Sequence, residues 1–202
     1  GQSPTAGESE STRETVAFDL GGVLVGVDHD AAARALGVTP AAIERAFFSG
    51  GIHDAVTVGT LDGASFAAAA AQALGRDAAE VATAWAAVVE VWPAGRALVE
   101  ECLRAGLEVV LWSNTDPIHL EKMARALPPV PLQHVSFALG AQKPDPEFFR
   151  RGLHRLGKSP VFVDDRDDNV AAARALGIRA HVVRGPAAAR AALVREGLLP
   201  VL

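Results

Sequence analysis

The sequence predicts an α/β protein: a doubly wound, parallel five-stranded sheet with an inserted α-helical cap. Two observations carry this prediction. Short apolar segments alternate with helical patterns from residue 95 onward, which is typical of parallel strands joined by crossover helices. The stretch between the first two predicted strands is too long for a plain crossover, and it contains helical patterns only.

Five segments are interpreted as strands because they are apolar nearly throughout, as expected of strands buried on both faces. They are TVAFDL (15–20), LEVVLWSN (107–114), HVSFAL (134–139), PVFVDD (160–165) and RAHVVR (179–184). After the first strand, helices are predicted at 94–105, at 117–126, from Asp145 onward, at 168–176 and at 186–196. Asp145 is a typical N-cap, and Pro146 suits the first helical position.

The interval 28–93 is predicted to be a small helical domain inserted into the core. Its alanine-rich helical patterns cover 30–36, 40–48, 62–74 and 77–91. Alanine allows helices to pack closely and loses no side-chain entropy on burial. The α/β core then consists of 15–27 and 94–202. Residues 1–14 are polar and lack the apolar stretch of a signal peptide, so we expect a disordered tail.

Composition excludes several function classes. The chain has 202 residues, enough for one full core. Its net charge of −5 gives no reason to expect nucleic acid or an anionic membrane as a partner. No apolar run reaches the length needed to cross a bilayer. The single cysteine, Cys102, rules out a disulfide within the chain and fits a reducing, cytoplasmic location. The sequence carries no signal for the oligomeric state.

Polar side chains stand at the carboxyl ends of three predicted strands. Asp19 ends the first strand, Ser113 and Asn114 end the second, and Asp164 and Asp165 end the fourth. The carboxyl ends of parallel strands lie on one edge of the sheet, where ligands of open α/β sheets bind. We therefore expect these side chains to converge on one crevice, which the inserted helices can roof.

Such a cluster of carboxylates favours a particular chemistry. Two carboxylates about 4 Å apart repel by about 4 kcal/mol at an effective dielectric near 20. A hard divalent cation removes that cost, and Mg²⁺ is the natural choice for oxygen ligands. Lys143, Ser113, backbone N–H groups and the metal would together form an anion trap. One carboxylate can then attack as a nucleophile, and a phosphate ester fits the trap.

Four segments resemble, in order, the four motifs of the haloacid dehalogenase-like (HAD) hydrolase superfamily. They are FDLGGVL (18–24), LWSNTD (111–116), QKPDPEFF (142–149) and FVDDRDDN (162–169). The segment VGTLDGASF (58–66) is similar to part of the family's small helical cap. The resemblance implies a Rossmannoid core and a Mg²⁺-dependent hydrolase. That hydrolase would remove phosphate from a small phosphorylated, sugar phosphate-like metabolite through a phospho-aspartate.

The resemblance also implies roles for individual residues. Asp19 is the nucleophile, and Lys143 neutralises both Asp19 and the phosphoryl oxygens. Ser113 and Asn114, together with Lys143, bind the phosphate. Asn169 contacts the metal ligands rather than the metal. The implied ligands of Mg²⁺ are Asp19, the Gly21 carbonyl, Asp164 and Asp165.

The chain departs from most phosphatases of the superfamily at Gly21, where they carry an aspartate. That aspartate protonates the leaving oxygen and then activates the water that cleaves the phospho-aspartate. Two compensations are open. The leaving group, such as an anomeric or acidic hydroxyl, can depart without help, or Asp28 or His29 can supply the missing acid–base. The DLG form of the first motif resembles a subgroup that includes sugar-phosphate phosphatases.

Two other functions remain open from the sequence. One is a catalytically weak member that binds a phosphorylated metabolite or regulates another protein. The other is a 2-haloacid dehalogenase, which works without metal and has no reason to keep the adjacent carboxylates Asp164 and Asp165. Gly21 disfavours a phosphomutase. A cap that closes over the crevice implies a small substrate. The candidate cap contacts are Phe47, Phe48, His53 and Asp54.

Overall fold

A computed structural model describes residues 13–202 of the chain. The tail predicted for residues 1–14 therefore lies almost wholly outside the described residues. Glu14 is described; it is exposed, but it contacts residues of the α/β core. Its carbonyl accepts a hydrogen bond from the Glu108 backbone N–H at 3.0 Å, and its carboxylate pairs with Arg179 at 3.1 Å.

The described chain alternates strands and helices. The strands are β1 (Thr15–Phe18), β2 (Val25–Val27), β3 (Val89–Val91), β4 (Glu108–Leu111), β5 (Leu132–Gln133), β6 (Val161–Asp164) and β7 (Arg179–Val182). The helices are α1 (Asp30–Leu36), α2 (Pro40–Phe48), α3 (Ile52–Thr57), α4 (Gly63–Leu74), α5 (Ala78–Ala86), α6 (Pro93–Arg104), α7 (Pro117–Ala126), α8 (Ser136–Leu139), α9 (Pro146–Leu156), α10 (Asp167–Ala175) and α11 (Pro186–Arg195).

The predicted parallel five-stranded sheet is confirmed. Its strand order is β5-β4-β1-β6-β7, and every pairing within it is parallel. In the middle of the sheet, Val16 pairs with Val109 on one side and with Val161 on the other. Strands β4 and β5 lie on one side of β1, and strands β6 and β7 lie on the other, so the strand order switches at β1. Ligands of open α/β sheets bind at this switch point, which places the crevice at the carboxyl ends of β1, β4 and β6.

The third predicted strand, 134–139, is wrong. The strand is β5, and the segment that follows it forms the single turn α8. Ser136 starts this turn and fixes it to the neighbouring loop: its Oγ accepts from the Thr115 N–H at 3.0 Å and donates to the Thr115 carbonyl at 3.1 Å. A short apolar run does not distinguish a strand from a buried helical turn, and here a side-chain contact decides between them.

A two-stranded antiparallel ribbon lies at the two ends of the inserted segment. Residues of β2 pair with β3, and the Trp92 N–H donates to the Leu24 carbonyl at 3.0 Å. The helix predicted over 77–91 therefore ends at Ala86, and its last residues form β3 instead. The ribbon joins segments far apart in the chain, so a local sequence pattern does not predict it.

Helices α1 to α5 fill the segment between β2 and β3. The bounds of α1 and α2 match their predictions, whereas α3 was not predicted because it is short. The fully buried rings of Phe47, Phe66 and Trp85 form the centre of this helical segment. Trp85 Nε1 donates to Asp116 Oδ2 at 3.0 Å, which connects the inserted helices to the start of α7. Among residues 13–202, no helix has both the length and the apolar character that crossing a bilayer requires.

Candidate active site

Asp19 lies at the carboxyl end of β1, in the centre of the sheet. Its backbone N–H donates to the Val163 carbonyl of β6 at 3.0 Å, which continues the strand pairing by one residue. The whole of β1 is buried, so its end is fixed by neighbours on both sides. Asp19 is 7% exposed, and it lines a cavity of about 510 Å³ that we call the first cavity.

Lys143 is held between two carboxylates. Its Nζ donates to Asp19 Oδ1 at 3.0 Å, to Asp164 Oδ2 at 2.6 Å and to the Trp112 carbonyl at 2.8 Å. Its backbone is fixed by Asn114, whose Oδ1 accepts from the Lys143 N–H at 2.8 Å and whose Nδ2 donates to the Lys143 carbonyl at 2.9 Å. Asn114, predicted to bind phosphate, thus uses its side-chain amide to position the lysine.

Burial and charge act in opposite directions on the two central groups. Burial raises the pKa of Asp19 from 3.8 to about 7; Lys143 opposes this rise, and the carboxylates of Asp164 and Asp165 add to it. Burial alone would lower the pKa of Lys143, but the carboxylates of Asp19 and Asp164 outweigh it and raise that pKa. Lys143 therefore stays protonated, whereas the raised pKa of Asp19 favours its protonated form in the metal-free protein.

Three carboxylates form one acidic cluster. Oxygen atoms of Asp19, Asp164 and Asp165 all lie within 4.8 Å of one another. Both Asp164 oxygens accept hydrogen bonds: Oδ1 from the Arg166 N–H at 2.9 Å, and both oxygens from Asn169 Nδ2 at 3.2 and 3.1 Å. Asp165, by contrast, lines the first cavity. The structure thus brings the predicted acidic residues together but gives Asp164 and Asp165 different surroundings.

Gly22 makes room for the Asp165 carboxylate. Its φ is +79°, and a Cβ at this position would lie 2.2 Å from Asp165 Oδ2. Hydrogen bonds hold the Gly22 backbone in place, with its N–H donating to the Val25 carbonyl at 2.8 Å and its carbonyl accepting from Gly185 at 2.9 Å. A side chain at position 22 would therefore displace Asp165 from the cluster.

The acidic cluster fits a hard divalent cation such as Mg²⁺. Its donors are carboxylate oxygens, the ligand type that Mg²⁺ prefers. A single lysine stands against three carboxylates, so negative charge is left over. Asn169 Oδ1 is a buried acceptor with no hydrogen-bond partner within the described part of the chain. It adds a free oxygen beside the carboxylates, as a cation site or its bound waters would require.

Donors for an anion also line the first cavity. Gly21, Ser113, Asn114 and Lys143 all contribute to its wall. The Ser113 hydroxyl makes one long hydrogen bond, 3.4 Å to the Asn114 carbonyl, so it remains available to a ligand. The backbone N–H groups of Gly21 and Asn114 donate to no acceptor among residues 13–202. An anion in the cavity would therefore meet hydroxyl, amide and ammonium donors.

A second cavity of about 270 Å³ adjoins the first and extends under the inserted helices. The two cavities share Gly21, Val25, Val27, Ser113 and Asn114. His29, a proposed substitute for the missing acid–base, lines this second cavity. Asp28, the other proposed substitute, pairs instead with Arg34 at 2.7 Å and lines neither cavity.

The four candidate cap contacts have different positions. Phe47 is fully buried and packs inside the helical segment. The Phe48 ring lies 4.4 Å from the His53 ring, and His53 lines the second cavity. Asp54 accepts a hydrogen bond from Gln142 Nε2 at 3.4 Å, a contact between the inserted helices and the core.

Sequence reasoning missed five residues that line the first cavity: Gly22, Val25, Val27, Trp92 and Arg166. The two consecutive glycines after the strand were a visible signal for Gly22. Val27 and Trp92 reach the cavity only through the β2–β3 ribbon, which local patterns do not reveal.

The match to known proteins covers this site and the inserted helices. A family model described as haloacid dehalogenase-like hydrolase matches residues 14–177. The chain belongs to the haloacid dehalogenase-like hydrolases. The matched span includes every residue of the acidic cluster and Lys143, so this HAD-like hydrolase has its candidate site inside the family's own region.

Solved structures share the fold at low sequence identity. A HAD family enzyme from Bacteroides thetaiotaomicron, in complex with magnesium and inorganic phosphate, is 24% identical with a TM-score of 0.75, covering 85% of this chain and 94% of that one. A HAD-like family hydrolase from Porphyromonas gingivalis is 23% identical with a TM-score of 0.74, covering 91% and 97%. An L-2-haloacid dehalogenase is 20% identical with a TM-score of 0.62, covering 85% of each chain.

Proposed function

We propose that this HAD-like hydrolase is a Mg²⁺-dependent phosphatase that acts on a small phosphorylated, sugar phosphate-like metabolite through a phospho-aspartate at Asp19. The observation that carries the proposal is the acidic cluster, whose Asp19, Asp164 and Asp165 oxygens lie within 4.8 Å of one another beside the buried Lys143. The complex of the Bacteroides enzyme with magnesium and phosphate supports the same assignment for this fold.

Asp19 is the nucleophile in this proposal. Lys143 holds Oδ1, so Oδ2, which accepts no hydrogen bond from the described residues, is the oxygen that attacks phosphorus. The new bond joins Oδ2 to phosphorus, and the ester oxygen departs with the electron pair of the broken bond. Water then cleaves the phospho-aspartate and regenerates the carboxylate. Lys143 balances the charge of Asp19 before attack and of the phosphoryl oxygens after it.

The proposed metal ligands are Asp19, Asp164, Asp165 and the Gly21 carbonyl. When bound there, Mg²⁺ would neutralise charge between the nucleophile and the phosphate oxygens. Without a cation, burial raises the pKa of Asp19 to about 7 and so disfavours the ionised form that attacks phosphorus. Arg166 and Asn169 keep the Asp164 carboxylate in one orientation through their hydrogen bonds.

The 2-haloacid dehalogenase reaction is a weaker candidate. The similar fold of a dehalogenase carries no choice between the two reactions, because the fold is common to both. The acidic cluster favours the phosphatase. A reaction without a metal has no need for the third carboxylate, Asp165, which the absence of a side chain at Gly22 accommodates in the cluster.

A phosphometabolite-binding or regulatory protein is the second candidate, and Gly21 favours it. Loss of a general acid–base typically lowers a rate by a factor of about 10²–10⁴. Such a protein would keep the anion donors and the acidic cluster but turn over slowly. Binding of inorganic phosphate without hydrolysis of any ester would support this reading.

Hydrolysis of p-nitrophenyl phosphate with and without Mg²⁺ tests the proposal. This leaving group departs without protonation, so Gly21 does not prevent the reaction. We expect Mg²⁺-dependent turnover that Asp19→Asn abolishes. Asp167→Asn is the matched control, because Asp167 is an exposed acid in the first turn of α10. Turnover that persists in Asp19→Asn, or that needs no divalent cation, would contradict the proposal.

A further inference from the structure

The wall of the first cavity at position 21 is apolar. A Cβ at Gly21 would lie 3.1 Å from Val27 Cγ2, closer than the usual separation of about 3.5–4.0 Å between carbon atoms. Val27 ends β2, is 51% exposed and lines both cavities. A side chain at position 21 would therefore point into space that a Val27 methyl group now occupies.

Three further side chains that line the first cavity, those of Lys143, Arg166 and Trp92, are poor proton donors. Lys143 is bound between two carboxylates, and Arg166 donates twice to Asp168, at 3.0 and 3.1 Å. Trp92 also lines the cavity, and its indole N–H makes no hydrogen bond within residues 13–202. An indole N–H can donate a hydrogen bond to an anionic oxygen but does not give up its proton near neutral pH.

Two histidines are the remaining rivals for the role of acid. His29 and His53 line the second cavity, and neither ring donates or accepts a hydrogen bond inside the described range. Aromatic contacts hold them: the His29 ring stacks on Trp85 at 5.9 Å, and the His53 ring lies 4.4 Å from Phe48. Neither lines the first cavity, where Asp19 stands.

We propose that Val27 and Gly21 together make the leaving-group side of the site aprotic, so that the chain acts on phosphate esters of acidic hydroxyl groups. Aryl, enol and hemiacetal phosphates are such esters. The inference rests on the proposed function. In the first step the Asp19 oxygen bonds to phosphorus, the ester P–O bond breaks, and the leaving oxygen keeps the electron pair. It departs as an anion and takes its proton from water outside the site.

A series of aryl and alkyl phosphates measures this selectivity. We expect kcat/KM, with Mg²⁺ present, to fall about tenfold for each unit by which the pKa of the leaving hydroxyl rises, because no acid assists its departure. The ratio kcat/KM reports events up to the breaking of the ester bond. Slow hydrolysis of the phospho-aspartate therefore does not mask the effect.

Two variants test the role of Val27 directly. Gly21→Asp with Val27→Ala supplies an acid and the space for it, so the ratio of alkyl to aryl kcat/KM rises by about 10²-fold. Gly21→Asp alone gives a smaller rise because Val27 crowds the new side chain. A readout without catalysis accompanies them: Gly21→Ala lowers the melting temperature in EDTA, and adding Val27→Ala recovers part of the loss.

Each contrary result has a distinct meaning. If kcat/KM of the wild type changes little with the pKa of the leaving hydroxyl, the inference is overturned. A stronger dependence in His29→Ala or His53→Ala would then assign the acid to that histidine. An unchanged alkyl-to-aryl ratio in the double variant, or purely additive melting temperatures, would overturn it as well. Absence of turnover with every aryl phosphate would overturn the proposed function itself, and this inference with it.

Discussion

Replacing Lys143 by methionine removes the one cation inside the acidic cluster while keeping a side chain of similar length. The Nζ lies 3.0 Å from an Asp19 oxygen and 2.6 Å from an Asp164 oxygen, and the side chain is 1% exposed. At an effective dielectric near 20, each attraction is about 5–6 kcal/mol before the cost of desolvating the ammonium is subtracted. Removing one partner of a buried ion pair typically costs about 3–5 kcal/mol, and we expect that loss here.

The loss should depend on pH. Because the pKa of Asp19 is raised to about 7, its carboxyl is protonated well below neutral pH, and one of the two charges left by Lys143→Met disappears. We therefore expect the full loss at about pH 8 and a smaller one at about pH 5. Urea unfolding in EDTA, followed by tryptophan fluorescence, measures it.

Lys158→Met is the matched control for this experiment. Lys158 pairs with Glu108 at 3.0 Å, but its side chain is 25% exposed. A pair of this kind contributes about 0–1 kcal/mol. Equal losses in the Lys143 and Lys158 variants, or a Lys143→Met loss that does not change with pH, would show that Lys143 does not stabilise the fold as the buried partner of Asp19.

The remaining predictions concern the same site. Because the pKa of Asp19 is raised from 3.8 to about 7, the free energy of unfolding of the metal-free protein falls as pH rises through this range, by at most about 4 kcal/mol. Asp19→Asn removes this pH dependence, which urea unfolding at several pH values measures. Parallel pH profiles of the wild type and the variant would contradict this prediction. Gly22→Ala lowers Mg²⁺ affinity at least about tenfold in calorimetric titration, because its Cβ would meet a carboxylate oxygen at 2.2 Å, whereas Gly37→Ala, with φ of +65° and nothing within 4 Å, does not. Asn114→Ala lowers kcat for p-nitrophenyl phosphate by about tenfold or more, because the Lys143 backbone loses both hydrogen bonds; an unchanged kcat would show that the lysine is held by other contacts.

The convergence of the acidic residues could be predicted because it follows from topology. Asp19 and Asp165 follow strands that lie side by side in a parallel sheet, so their positions are fixed once the strand order is known. The placement of Lys143 rests on a different signal, because this residue lies just before the well-capped helix start at Asp145. Motif order and strand ends therefore carry most of the information about this site.

Contacts between distant segments could not be predicted in the same way. The β2–β3 ribbon brings Val27 and Trp92 to the first cavity, and its two strands come from opposite ends of the inserted helices. The Asp28 carboxylate pairs with Arg34, six residues further on, at 2.7 Å and does not line the cavities. Ser136 replaces a predicted strand by a helical turn through one hydroxyl. The ribbon depends on backbone pairing between distant segments, and the other two outcomes involve side-chain contacts; local periodicity records neither.

Chemical trapping of the phosphorylated enzyme tests whether Asp19 is the nucleophile. Gly21 provides no base for the second step, so the phospho-aspartate should accumulate during turnover of p-nitrophenyl phosphate with Mg²⁺. Reduction of the quenched enzyme with borohydride converts a phosphorylated aspartate to homoserine, which peptide mass spectrometry locates. We expect homoserine at position 19 in the presence of Mg²⁺ and aspartate there without it. Turnover with no modification at Asp19, or with modification at another carboxylate, would contradict it.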